Sequence, residues 1–91
     1  MKNKNWFVSR AQALGALTFA SEAFNCQVNL RISRVAIQLD IYGHSLAEMV
    51  DIESKMRAFC SDGCSMSSGH EDNPDFYWVT IEWPFPSIFS R

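Results

Sequence analysis

The residues with the most specific chemistry are two cysteines and a histidine in the second half of the chain. Cys60, Cys64 and His70 form the pattern C-x3-C-x5-H, and thiolate and imidazole groups are ligands that zinc prefers. His44 or Cys26 would supply a fourth ligand. Structural zinc sites normally use two closely spaced ligand pairs, whereas this pattern has one loose pair. The spacing therefore favours incidental reduced thiols, and we expect no metal and no cofactor.

The sequence also shows no combination of residues that is typical of a catalytic site. A cysteine paired with His44 or His70 would need a third group to orient the histidine, and no such group or glycine-framed turn accompanies either one. The acidic residues after His70 lack the spacing of a calcium loop. No phosphate-binding loop is present, because the glycines are isolated: Gly15, Gly43, Gly63 and Gly69. We expect a protein that is not an enzyme.

Length and charge narrow the function classes further. The chain has 91 residues, 47% of them hydrophobic and 20% charged, which is typical of one globular domain spanning residues 1–91. The net charge of −2 argues against generic binding to a phosphate backbone. We find no apolar run typical of a secretion signal and none that would span a membrane. The odd count of three cysteines then favours reduced thiols and a cytoplasmic location.

Helical and alternating patterns divide the chain into elements. Ser9–Gln12 resembles a capping box at the start of a helix that runs to about Asn25, and residues 5–8 are a short strand or a lead-in to that helix. From Cys26 to Tyr42 the apolar residues alternate, but their parity changes between Ile32 and Val35. A hairpin with Ser33-Arg34 as its turn explains the change, and a bulge in one long strand is the alternative.

The second half predicts one helix and one strand. Ser45–Glu48 is a better capping box, and the helix after it buries one apolar face, made of Leu46, Met49, Ile52, Met56 and Phe59. Residues 61–75 are expected to be a polar loop, with a hidden short strand near 64–67 as an alternative. Residues 76–83 are dense in aromatic and β-branched side chains and predict a strand, followed by a C-terminal tail at 84–91.

The order of elements indicates a two-layer α+β fold. With residues 5–8 as a strand it is ferredoxin-like, (β)αββαβ, with an antiparallel sheet and both helices on one face; without them the sheet has three strands. One face of the sheet is expected to point toward the helices, with these side chains: Val28, Leu30, Ile32, Val35, Ile37, Leu39, Ile41, Tyr77, Val79, Ile81 and Trp83. The opposite face would show Asn29, Arg31, Gln38, Asp40, Tyr42, Phe76, Trp78, Thr80 and Glu82.

An aromatic surplus beside acidic residues favours a protein-binding surface. Exposed aromatics on a flat sheet are common anchors for a partner, and acidic groups nearby would complement a basic one. The candidate partner-binding residues are Phe76, Trp78, Glu71, Asp72, Asp75, Glu48 and Asp51. In size and acidity the chain is similar to small inhibitors that phages and mobile elements direct at host nucleic-acid-handling complexes, including anti-CRISPR proteins. We expect a non-enzymatic interaction module of that kind.

Two other functions remain open. A single-stranded nucleic-acid binder would use Trp6, Phe7, Arg31 and Arg34 together with Trp78, although the strand at 34–42 lacks the glycine and the stacking aromatics of RNA-recognition domains. A small homodimeric regulator would join two copies through sheet edges. The protein is therefore expected to be a monomer or a homodimer that binds a protein, or less readily a nucleic acid, and not a membrane.

Overall fold

Each of the two helices is followed along the chain by two strands. The computed structural model describes the backbone of residues 2–60, 64–72 and 75–85, and the side chains from residue 10 onward within these ranges except that of residue 75. The elements are α1 (Lys2–Ala23), β1 (Gln27–Ile32), β2 (Ala36–Gly43), α2 (Leu46–Met56) with a 3-10 turn (Arg57–Phe59), β3 (Ser65–Asp72) and β4 (Asp75–Pro84).

The four strands form one antiparallel sheet in the order β1-β2-β4-β3. The expected α+β class, with an antiparallel sheet and two helices, is confirmed. The ferredoxin-like order is not: that pattern opens on a strand, whereas this chain opens on α1. Among the described residues, no helix is long and apolar enough to cross a bilayer.

The proposed strand at residues 5–8 is wrong, because these residues belong to α1. The predicted capping box at Ser9–Gln12 consequently lies inside the helix rather than at its start. Four residues are too few to decide between strand and helix by periodicity alone. The first strand of a ferredoxin-like sheet would also lie between the strands that are here β2 and β4, and these two pair directly with each other.

Strand β3 lies within the segment that was expected to be a loop. It pairs with β4 from Ser65↔Glu82 to Asp72↔Asp75, which extends the short strand considered near 64–67 by several residues. Met66 is its only apolar side chain, and it is an edge strand with one neighbour, so the sequence carries little of the apolar alternation of a central strand. The predicted strand at 76–83 is confirmed as β4. Residues 86–91 of the tail lie outside the described residues.

The β1–β2 hairpin is confirmed, with its turn one residue further along the chain. The ladder pairs Ile32 with Ile37 and Leu30 with Leu39, and the Ser33 N–H donates to the Ala36 carbonyl at 2.9 Å. The turn residues are therefore Arg34 and Val35. Each predicted pair moves by two positions, which keeps every side chain on its predicted face.

The core lies between the sheet and the helices. Alanines on α1 let that helix approach the sheet closely, and Ile52 and Met56 of α2 are fully buried. The buried apolar side chains are Ala13, Ala16, Ala20, Phe24, Ile37, Leu39, Ile41, Ile52, Met56, Val79, Ile81 and Trp83. The inward prediction is wrong for Ile32 and Val35, which are 68% and 70% exposed. Both lie at the end of the hairpin where the chain turns.

Helix α2 begins as its capping box predicts. Ser45 is the N-cap, and its hydroxyl accepts the Glu48 N–H at 3.1 Å. Asp51 and Lys55, one turn apart, form an ion pair at 3.1 Å on the exposed side. Leu46 was expected in the buried face and is instead 58% exposed, because it is the first residue of the helix.

Candidate binding surface on the open sheet face

The sheet face opposite the helices carries the alternate residues of each strand. Since successive side chains of a strand point to opposite faces, burying Leu39, Ile41, Val79 and Ile81 against the helices turns their neighbours outward. We call this surface the open face. It contains a shallow depression of about 410 Å³ lined by Arg31, Gln38, Asp40, Tyr42, Glu71, Phe76, Trp78 and Thr80. The sequence-based assignment of the two faces is confirmed for the central strands.

An aromatic cluster of Tyr42, Phe76 and Trp78 occupies one end of the open face. Tyr42 and Trp78 are paired across β2 and β4, and the Tyr42 and Phe76 rings meet edge to face with centroids 6.0 Å apart. All three side chains are half-buried. They stand on the two central strands, so their position is fixed by backbone pairing on both sides rather than by a loop.

Gly69 on β3 completes this cluster. It pairs with Trp78, and a Cβ placed on Gly69 would lie only 2.6 Å from Trp78 Cε2. The indole therefore covers the glycine backbone, in the arrangement by which an aromatic side chain shields a strand glycine. Sequence reasoning missed this role of Gly69. A lone glycine in a polar segment gives a weak signal, and only the register shows that it faces a tryptophan.

The Asp40 carboxylate accepts the hydrogen bonds of a polar network at the centre of the open face. The Asp40 side chain is 6% exposed, and it accepts hydrogen bonds from Thr80 Oγ1 at 2.8 Å and Arg31 Nε at 3.0 Å. Gln38 Nε2 lies 3.5 Å from the same carboxylate. A buried carboxylate requires such partners. The network therefore links β1, β2 and β4 beside the aromatic cluster. It also pairs the charge of Arg31 with that of Asp40.

Most of the predicted partner-binding residues lie at one end of the sheet. Phe76 and Trp78 are in the aromatic cluster, Glu71 pairs with Phe76, and Asp72 pairs with Asp75 at the end of the β3–β4 hairpin. Asp72 is 91% exposed, and its carboxylate lies 3.4 Å from His70 Nδ1. The hairpin thus places Glu71 next to the aromatic cluster, while Asp72 lies on the helix-facing side of β3.

Glu48 and Asp51 do not join that group. Both belong to α2, which packs on the opposite side of the sheet through Ile52 and Met56. Glu48 binds the backbone and ring of His44, and Asp51 binds Lys55. Their acidic character groups them with Glu71 in the sequence, but a helix pattern alone does not say which face of the sheet the helix covers.

The predicted nucleic-acid set is dispersed. Trp6 and Phe7 are in α1, and their side chains lie outside the described ones. Arg31 is bound to Asp40, and Arg34 is in the hairpin turn at the end of the sheet away from Phe76. The open-face aromatics on the two central strands are Tyr42, Phe76 and Trp78, in place of the pair expected near the N-terminus.

The C-x3-C-x5-H residues are only partly brought together. Cys60 and Cys64 are adjacent, with 2.8 Å between their sulfur atoms. His70 lies six residues further along extended chain, about 20 Å away at the rise of a β-strand, and its ring stacks on Tyr77 with centroids 4.2 Å apart. The three residues therefore cannot bind one ion together.

Aromatic area next to acidic groups suits a basic ligand. Among the described side chains of the open face, Asp40, Glu71 and Glu82 are acidic and Arg31 is basic, so its charge is negative. An arginine or lysine of a ligand could stack on Trp78 or Phe76 and pair with Glu71. Comparison of the chain with protein-family models, with curated proteins and with solved structures finds no match.

Proposed function

We propose that this protein is a non-enzymatic interaction module whose open face binds a basic, arginine- or lysine-containing segment of a partner protein. The single observation that carries the proposal is the aromatic cluster of Tyr42, Phe76 and Trp78 next to Glu71 on a sheet face that no described helix covers. A host nucleic-acid-handling complex would present such basic segments, so inhibition of one remains part of the proposal.

The aromatic side chains supply the apolar part of this recognition. They are held by strand pairing, and Trp78 is further supported by Gly69, so little side-chain freedom is left to lose on binding. Preorganised aromatic residues of this kind are typical binding hot spots. A cation over such a ring gains about 0.5–2 kcal/mol, depending on how far the contact is shielded from water.

The acidic side chains supply orientation and discrimination. Glu71 is exposed and lines the same depression as Phe76 and Trp78, whereas Asp72, the next residue of β3, lies on the opposite side of the sheet. Arg31 forms an ion pair with Asp40, so the positive charge of Arg31 repels a basic ligand only weakly. A phosphate backbone would meet net repulsion at this face, whereas a basic peptide would be attracted.

The experiment compares an oligoarginine peptide with an oligoglutamate peptide of equal length, measured by fluorescence anisotropy at two salt concentrations. We expect the arginine peptide alone to bind, with an affinity that falls as salt rises. Trp78→Ala should weaken binding by at least about tenfold, and Glu71→Lys should weaken it several-fold. Glu22→Lys, the same charge change at an exposed position on α1, is the matched control and should bind normally.

Equal binding by all three variants would remove the open face from the proposal. A single-stranded oligonucleotide bound more tightly than the peptide, and lost in Trp78→Ala, would establish the nucleic-acid alternative instead. Light scattering over a range of protein concentrations tests the third function. A dimer that excludes the peptide would show that a second copy of the chain covers this face.

A further inference from the structure

The fold brings a thiol, an imidazole and a carboxylate together at one end of the β1–β2 hairpin. The candidate donor atoms of Cys26, His44 and Glu48 all lie within 4.8 Å of one another. The residues come from three separate local structures: Cys26 precedes β1, His44 follows β2, and Glu48 is in the first turn of α2. No sequence spacing relates the cysteine to the other two.

Strand register explains how these residues meet. Gln27 pairs with Tyr42, so Cys26 and His44 lie just beyond the same end of the ladder. The chain then turns back over the sheet at the Ser45 cap, which places Glu48 above Gly43. A Cβ on Gly43 would lie 3.3 Å from Glu48 Oε1, a close approach that favours glycine there. The juxtaposition is therefore built by the ladder and the helix start together.

We propose that Cys26, His44 and Glu48 form a zinc site with three protein ligands and a fourth position open to solvent. Mixed sulfur, nitrogen and oxygen ligands suit zinc, whereas calcium and magnesium require oxygen ligands. Three protein ligands with one open position are typical of zinc sites that exchange a water or a ligand atom. This site differs from the C-x3-C-x5-H pattern, and it revises the expectation of no metal.

The distances are close to those that tetrahedral zinc needs. Ligand atoms about 2.0–2.3 Å from the ion lie roughly 3.3–3.6 Å from one another in a tetrahedron. His44 Nδ1 and Glu48 Oε1 are already 3.2 Å apart. The sulfur, at most 4.8 Å from either atom, would need to move by about 1 Å, which is within reach of side-chain rotation.

The carboxylate is also held as a metal ligand should be. The backbone N–H of His44 donates to Glu48 Oε1 at 2.6 Å, and a hydrogen bond of this kind orients ligating carboxylates. Capping of α2 accounts for Ser45 and Glu48, but it does not account for a thiol against the same carboxylate. The His44 side chain is 77% exposed and that of Glu48 is 33% exposed, so an ion has access.

The Cys26 thiol lies beside the Glu48 carboxylate. Burial, followed by the nearby Glu48 carboxylate, raises the pKa of the Cys26 thiol, so the sulfur keeps its proton beside the acid. A zinc ion would take the place of that proton and neutralise the carboxylate. Binding would release the proton to solvent.

The test uses cobalt(II) as a spectroscopic substitute for zinc. Titration of the reduced protein should give one bound ion, a near-ultraviolet thiolate-to-cobalt band and visible bands of tetrahedral cobalt, all removed by added zinc. Cys26→Ser should abolish the thiolate band, and His44→Ala should weaken binding at least about tenfold. The double variant Cys60→Ser/Cys64→Ser is the matched thiol control and should keep the spectrum.

Two further variants separate ligation from folding. Ser45→Ala weakens the α2 cap but leaves all three ligands, so it should keep the cobalt spectrum. His44 is exposed, so His44→Ala tests ligation in a folded protein, checked by circular dichroism. Absence of the thiolate band in the unsubstituted protein, its persistence in Cys26→Ser, its loss in the Cys60/Cys64 variant, or unchanged affinity in His44→Ala would each overturn the proposal.

Discussion

The indole of Trp78 covers the backbone of Gly69 on the neighbouring strand. The two residues are paired across β3 and β4, and a side chain on Gly69 would collide with the six-membered ring of the indole. The glycine thus provides the space in which Trp78 lies flat on the edge strand. Its half-buried ring is held in place and still presents a surface to a ligand.

Gly69→Ala should displace Trp78 and loosen the β3–β4 pairing. Overpacking of this kind costs about 1–3 kcal/mol, so the urea midpoint should fall, and arginine-peptide binding should weaken in parallel. Ser67→Ala, on the same strand and the same face but exposed, is the control and should change neither. A Gly69→Ala protein with full stability and full peptide affinity would show that the indole position does not matter.

Thr80→Val should destabilise the protein more than Arg31→Met, although both remove a partner of Asp40. Thr80 Oγ1 donates to a carboxylate that is 6% exposed, and loss of a hydrogen bond to a charged group costs about 1.5–3 kcal/mol. The Arg31 side chain is 63% exposed, so solvent screening limits its loss to less than about 1 kcal/mol. Urea unfolding of both variants measures the difference, and the reverse ranking would contradict this view of the network.

The alternation of apolar residues predicted the two central strands and their faces. In β2 and β4 the odd-numbered residues face the helices, where Leu39 and Ile81 are fully buried, and Asp40 and Thr80 point away. Because the side-chain period of a strand is two, moving the hairpin turn from Ser33-Arg34 to Arg34-Val35 left this assignment intact. The open face and its aromatic residues could therefore be predicted without the correct register.

Strand β3 could not be predicted in the same way, because a polar residue stands on the face of the strand that points to the helices. Its helix-facing Ser68 donates a hydrogen bond from Oγ to Glu53 Oε2 of α2 at 2.8 Å. Such a pairing leaves a serine where alternation would require an apolar residue. The Cys26, His44 and Glu48 cluster was missed for a related reason, since it depends on where three elements end and not on local spacing.

Ser33 should contribute to the hairpin turn through its hydroxyl. Ser33 Oγ accepts the backbone N–H groups of Val35 and Ala36, each at 3.2 Å, as serine does in tight turns. Ser33→Ala should therefore lower the free energy of unfolding by about 0.5–1.5 kcal/mol, measured by urea denaturation. Ser33→Thr keeps the hydroxyl and should retain most of the stability. If the two variants lose the same amount, the hydroxyl does not stabilise the turn.

Cys60 and Cys64 should form a disulfide on mild oxidation, and Cys26 should remain outside it. Their sulfur atoms are 2.8 Å apart across the junction between the 3-10 turn and β3, and all three cysteines are half-buried. With oxidised glutathione as the oxidant, the two thiols lose two electrons and two protons, and two molecules of reduced glutathione are released. Mass spectrometry of the intact chain should show the loss of two hydrogen atoms, and peptide mapping should join Cys60 to Cys64. Cys60→Ser leaves Cys64 without its partner thiol, so its mass should show no loss of two hydrogen atoms and gain at most one attached glutathione. A crosslink that includes Cys26, or a Cys60–Cys64 pair that stays reduced at high oxidant, would show that the two sulfurs do not approach each other in solution.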